Sequence, residues 1–117
     1  MAGKLTTHVL DTAHGQPAVG MKIVLSKIEA TGGAVIKTIF TNSDGRTDEP
    51  LLEGDDLLVG TYELAFHVGD YYAKYGEAES PRFLDVVPIR FGIANHAAKY
   101  HVPLLCSRWA YSTYRGS

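Results

Sequence analysis

Apolar and polar residues alternate with a period of two along much of the chain. Met21, Ile23 and Leu25 alternate with Lys22, Val24 and Ser26. Ile36, Thr38 and Phe40 alternate with Lys37, Ile39 and Thr41, and Val87, Ile89, Phe91 and Ile93 with Val86, Pro88, Arg90 and Gly92. The cleanest run sets Tyr62, Leu64, Phe66 and Val68 against Thr61, Glu63, Ala65 and His67. Successive side chains of an extended strand point to opposite faces, so each run predicts a strand with one buried face. Further β-type stretches lie near 5–10, 100–105 and 110–115.

Turn chemistry punctuates these runs. Thr31-Gly32-Gly33 separates two strand patterns by a hairpin-length turn, and Asn42-Ser43-Asp44-Gly45 is a strong turn signal. Glu53-Gly54-Asp55-Asp56 reads as a loop and Ser80-Pro81 as a breaker. One helix is expected, over 70–77, with Asp70 as its cap and Gly76 ending it within two turns. Seven or eight short strands with one short helix predict an all-β antiparallel sandwich forming a single domain over 1–117. Pro88 and Pro103 fall inside strand patterns. Neither can donate a ladder hydrogen bond, so each belongs on an edge or a bulge.

Composition narrows the function classes. Hydrophobic residues make up 45% and charged residues 21%, which argues against disorder. The net charge is −2 and the 11 Lys and Arg are scattered, so no nucleic-acid partner is expected. The N-terminus has no apolar stretch of the kind a signal peptide needs, and no run approaches the ~20 residues that span a bilayer. A cytoplasmic protein without a membrane partner is expected. The single cysteine, Cys106, permits no intrachain disulfide and reads as a small, half-buried residue. A chain of 117 residues buries one core and little else. A site deeper than a shallow patch would therefore need a second subunit.

Candidate chemistry gathers toward the ends of the chain. In the last two strand patterns, His101 shares the outward face with Pro103 and Leu105, and Ser112 shares its face with Tyr114. His8 falls inside the strand pattern of 5–10. Arg46 directly follows the Asp44-Gly45 turn, where fixed backbone holds it. Each alone reads more readily as structural or solvated. His14, His67 and His96 fall in loops or on polar faces and carry no function, and no histidine spacing suggests a metal site.

Three segments resemble the transthyretin-related 5-hydroxyisourate hydrolases: Leu5-Thr-Thr-His-Val-Leu-Asp-Thr-Ala-His-Gly-Gln-Pro-Ala18, Thr41-Asn-Ser-Asp-Gly-Arg-Thr47, and 99–117, which closes on Tyr114-Arg115-Gly116-Ser117. Gly60-Thr-Tyr-Glu-Leu64 and Val87-Pro-Ile-Arg-Phe91 fit between them, so the resemblance spans nearly the whole chain. The closing Tyr-Arg-Gly-Ser separates these hydrolases from hormone-carrying transthyretins of the same fold. Lys99 stands where many relatives have a histidine, and Ala110 where a glycine is expected.

The resemblance implies a transthyretin-like sandwich and hydrolysis of 5-hydroxyisourate to the ureidoimidazoline OHCU in urate degradation. It implies His8, Arg46, His101 and Ser117 as catalytic residues, with Ser112, Tyr114, Arg115 and Gly116 joining His8 and Arg46 in substrate binding. It further implies a homotetramer, a dimer of dimers with sites at the dimer–dimer interface. The reaction requires no cofactor and no metal. It needs an activated water, a stabiliser for the oxyanion and a proton for the leaving nitrogen. Histidines suit the proton transfers at neutral pH, and Arg46 offers a fork of donors. Which histidine is base and which acid stays open. The alternative is a transthyretin-like small-molecule carrier without catalysis, which would require a more apolar lining than these residues supply. A fibronectin-type or carbohydrate-binding sandwich would leave both end motifs unexplained.

Overall fold

The computed structural model describes residues 2–76 and 79–116. One sheet has the order β5-β4-β7-β8, built from Lys22–Glu29 (β4), Gly32–Phe40 (β5), Gly60–His67 (β7) and Val86–Ile93 (β8), all antiparallel. The facing layer comes in two parts. Leu52–Glu53 (β6), Lys4–Thr6 (β1) and Lys99–His101 (β9) form the first; Tyr111–Thr113 (β11), Leu104–Cys106 (β10), Val9–Asp11 (β2) and Gln16–Pro17 (β3) form the second. The strand count exceeds expectation because 5–10 and 100–105 each break into two strands and two-residue strands appear at β3 and β6.

The breaks matter for the site. Thr7 and His8 lie between β1 and β2, and Val102 and Pro103 between β9 and β10. The two stretches cross the break together, since the Val102 N–H donates to the Thr6 carbonyl and the Leu104 N–H to the His8 carbonyl, both at 2.9 Å. Two corrections follow. His8 sits in the break between β1 and β2 rather than inside a strand, and Pro103 is buried in the matching break instead of sharing the outward face of His101. The break is also where a residue without an N–H is tolerated, as its position off the ladder requires. Pro88 lies on β8, an edge strand. The sandwich is antiparallel except where β1 pairs with β9 and β2 with β10, both parallel.

The core between the layers follows the parity read from the sequence. Met21, Ile23, Leu25, Tyr62, Leu64, Phe66, Val87 and Ile93 from one side meet Leu5, Val9, Tyr100 and Leu104 from the other. On β5 the parity is settled by its partner: Ile39 packs on the core while Ile36 and Phe40 are exposed. The helix α1 spans Val68–Ala73, earlier than expected, with His67 at its N-cap and no side-chain cap bond. Asp70 therefore lies in the first turn rather than capping it. The strand alternation runs on into the helix at Val68 because that residue, Tyr71 and Tyr72 are all needed in the core. Glu53-Gly54-Asp55-Asp56 contains a 3-10 turn, Gly54–Asp56. No helix among the described residues is long and apolar enough to cross a membrane.

Candidate active site

Parallel pairing of β1 with β9 places Thr6 opposite His101 on the outward face, though they are 95 residues apart in sequence. The Thr6 Oγ1 lies 2.8 Å from Nδ1 of His101. On the other flank the tail returns: Gly116 bridges His101, its N–H donating to the His101 carbonyl at 2.8 Å. A side chain at Gly116 would run into the imidazole, with a Cβ only 2.5 Å from Cδ2. Glycine is needed there because the backbone lies against the ring. The imidazole is thus held at Nδ1 and along its Cδ2 edge, while Nε2 makes no hydrogen bond to a described residue.

The 42–45 turn builds the other side. The Asn42 side-chain carbonyl accepts the N–H groups of Asp44 and Arg46, an Asx turn that fixes the backbone on both sides of Gly45. Gly45 adopts φ +76° with no room for a Cβ against the Val9 carbonyl. The Val9 N–H donates to the Gly45 carbonyl at 2.8 Å, stapling the turn to the start of β2, next to His8. His8 Nε2 then donates to the Asp44 carbonyl at 2.8 Å. A carbonyl can only accept, so Nε2 of His8 carries a hydrogen. One turn therefore presents Arg46 and orients His8. The exposed Arg46 guanidinium makes no hydrogen bond or ion pair with a described residue.

These groups meet electrostatically at His101. Partial burial, then the charge of Arg46, then His8, hold its pKa below the usual 6.5. Burial and a nearby cation both disfavour the imidazolium and favour the neutral ring. A neutral imidazole with an open nitrogen beside a cation can take a proton from water while the cation holds negative charge.

The remaining expected residues lie around this centre. Ser112 is exposed on β11, opposite Leu105. Tyr114 is exposed. Arg115 turns back along the chain, its guanidinium donating to the Lys99 carbonyl at 3.2 Å and covering the Tyr100 ring at 4.2 Å. Arg115 thus anchors the tail that carries Gly116. Ser117 lies outside the described residues. Among those described, no three His, Cys, Asp or Glu side chains gather to hold a metal. The other histidines are engaged elsewhere or exposed: His14 bonds Asp11, His67 lies 3.7 Å from Asp70, and His96 is exposed in a loop. Cys106 is fully rather than half buried, and burial pushes its thiol up to about 11.

Sequence reading passed over Thr6 and Asn42. Thr6 lies two residues before His8 with nothing local to mark it; the β1–β9 register alone gives it a partner. Asn42 was legible as a turn residue, and its hold on the Arg46 backbone follows from the Asx pattern.

Comparison with known proteins places this arrangement in context. The model of the HIUase/Transthyretin family matches residues 5–116. A protein of Rhizobium meliloti (strain 1021) named 5-hydroxyisourate hydrolase 2 is 56% identical over 117 residues, covering 99% of this chain and 98% of its own. Among solved structures, an (S)-allantoin synthase superposes with a TM-score of 0.92 at 45% identity, covering 99% of this chain and 44% of the longer one. A 5-hydroxyisourate hydrolase of Klebsiella pneumoniae superposes with a TM-score of 0.80 at 31% identity, covering 97% and 99%. With a family match over nearly its full length and a sandwich of the same design, the chain belongs to the HIUase/transthyretin family.

Proposed function

We propose that this chain is a 5-hydroxyisourate hydrolase, opening the six-membered ring of its substrate by adding water to a ring carbonyl. The observation that carries the reading is the His101 ring, fixed at Nδ1 with Nε2 open, beside Arg46 and His8. A hormone-type carrier has no need of an open imidazole nitrogen next to a free guanidinium. Relatives of equal length carry the hydrolase name, and the last four residues share the hydrolase tail.

In this reading the reaction runs on the chain's own side chains. A histidine removes a proton from water as its oxygen bonds to the carbonyl carbon, and Arg46 faces the oxyanion that forms. The C–N bond then breaks and the proton passes to the leaving nitrogen. Nε2 of His8 is committed to Asp44, so His8 acts through Nδ1. Ser112, Tyr114 and Gly116 wall the substrate, and Arg115 secures the tail that carries Gly116. No cofactor or metal takes part.

Assembly belongs to the same proposal. The domain 1–117 forms a homotetramer in which the outward face of β2, β10 and β11 meets a second dimer and closes the site. Leu10 and Leu105, half-buried on that face, and exposed Tyr111 and Tyr114 flanking it support a covered surface. A direct assay tests the function: freshly generated 5-hydroxyisourate is mixed with wild type and with a variant lacking residues 114–117. Wild type should speed the absorbance decay well beyond the spontaneous rate, and the truncated chain should not. A wild-type rate equal to the spontaneous one would rule out hydrolysis.

A further inference from the structure

We propose that Thr6 is the positioning residue of His101: its hydroxyl oxygen accepts the Nδ1 hydrogen and leaves Nε2 as the base. The inference rests on the hydrolase reading and deepens it. The geometry is specific, with Oγ1 2.8 Å from Nδ1, and the two residues are paired Cα to Cα in adjoining strands. Strand geometry makes the contact rigid, because neither residue is in a loop. Gly116 against Cδ2 prevents the ring from flipping away.

Hydrogen-bond logic supports the direction. When Nε2 takes a proton from water, both ring nitrogens become donors, and Nδ1 then requires an acceptor. The Thr6 oxygen is the acceptor within reach, 2.8 Å from Nδ1, and its half-buried position lets its own hydrogen turn to solvent. Through the cycle Nδ1 keeps its hydrogen. The water oxygen bonds to the carbonyl carbon, its proton moves to Nε2, the C–N pair leaves with nitrogen, and the proton passes from Nε2 to that nitrogen.

A hydroxyl also explains how the ring can be fixed yet remain basic only weakly. A carboxylate at Nδ1 would stabilise the imidazolium by its charge and fill Nε2 with a proton at neutral pH. Thr6 supplies orientation without charge. The charged and titratable groups facing the ring are Arg46 and His8, with Lys4 and Lys99 one pleat along on the same sheet face. Arg46 and His8 both oppose the charged form of the ring.

Three variants and one wild-type measurement test this. Thr6→Val should lower kcat about 10- to 100-fold, the worth of one charge-assisted hydrogen bond, with KM within about twofold since Thr6 does not touch substrate. Thr6→Ser should restore most of kcat. Thr6→Asp should move the acid limb of the kcat/KM profile to higher pH, which a packing role would not do. Nitrogen NMR of wild-type His101 should show the Nδ1–H tautomer, a readout independent of any variant's folding. A ring found as Nε2–H, or a Thr6→Val enzyme with kcat within threefold of wild type, would overturn the assignment. Wild type inactive on 5-hydroxyisourate would instead refute the hydrolase reading, with the tautomer measurement still deciding the Thr6 contact.

Discussion

His14 and His101 each hold Nδ1 against an oxygen 2.8 Å away, but one oxygen belongs to a buried carboxylate and the other to a threonine hydroxyl. Around Asp11, which is fully buried, every polar atom is engaged. Its oxygens accept the His14 ring and backbone N–H groups and the Tyr71 and Tyr72 hydroxyls, the last two at 2.7 Å. Tyr75 stacks on His14 at 4.0 Å. Burial alone would raise the Asp11 pKa, but these hydrogen bonds outweigh it and hold the carboxylate below its usual 3.8. Burial and the Asp11 bonds push both tyrosine hydroxyls far above their usual range. Such a network ties α1 to β2 and has no free valence for chemistry. Around His101 the balance is reversed, with Nε2 and the Arg46 guanidinium open. Satisfaction of polar groups, more than residue type, separates the structural histidine from the proposed base.

The largest effect should come from breaking the satisfied cluster. Asp11→Ala strands two buried hydroxyls and a histidine, and should cost on the order of 3–5 kcal/mol. Urea unfolding measures it, and a loss under about 1 kcal/mol would show the network to be incidental. Its pH dependence has a definite sign. A carboxylate with a lowered folded pKa stabilises the fold above its unfolded value, and this is lost as pH falls through the folded value. The urea midpoint should thus drop below about pH 4 in wild type and drop less in Asp11→Asn.

Next comes the open site. His101→Asn should reduce turnover at least about 100-fold, in the range of general acid–base help, while leaving the urea midpoint nearly unchanged. Near-normal turnover would remove His101 from the chemistry, and a large stability loss would blur its contrast with His14. The smallest effect is expected at Arg46. Arg46→Gln should lower kcat/KM about 10- to 100-fold through a lost charge-assisted bond. It should also let the His101 pKa rise toward 6.5, since a cation that disfavours the imidazolium is gone. Imidazole NMR titration checks the second point; an unmoved or lower value would contradict the electrostatic link.

Much of this protein was legible before the fold. The alternation of Tyr62, Leu64 and Phe66 located a half-buried strand, and the Asn42-Ser43-Asp44-Gly45 turn was readable from local chemistry. The helix was misplaced because Val68 continues the strand's apolar parity into the first helical residue, where burial rather than cap chemistry decides. The tail and the 5–18 and 41–47 segments identified the family, since they keep residue types that packing does not explain.

Sequence alone therefore determined the strands, the turns and the residues with unusual chemistry, because each depends on nearest neighbours along the chain. Tertiary structure decided which of them meet. Alternation encodes a residue's face but not its partner across the sheet, so only the parallel register of β1 with β9 sets Thr6 against His101. The same holds for Asp11, whose donors arrive from α1 some sixty positions away. A carboxylate and a hydroxyl look equally polar in sequence. Burial and pairing made one a structural anchor and set the other against the imidazole of His101, the proposed base.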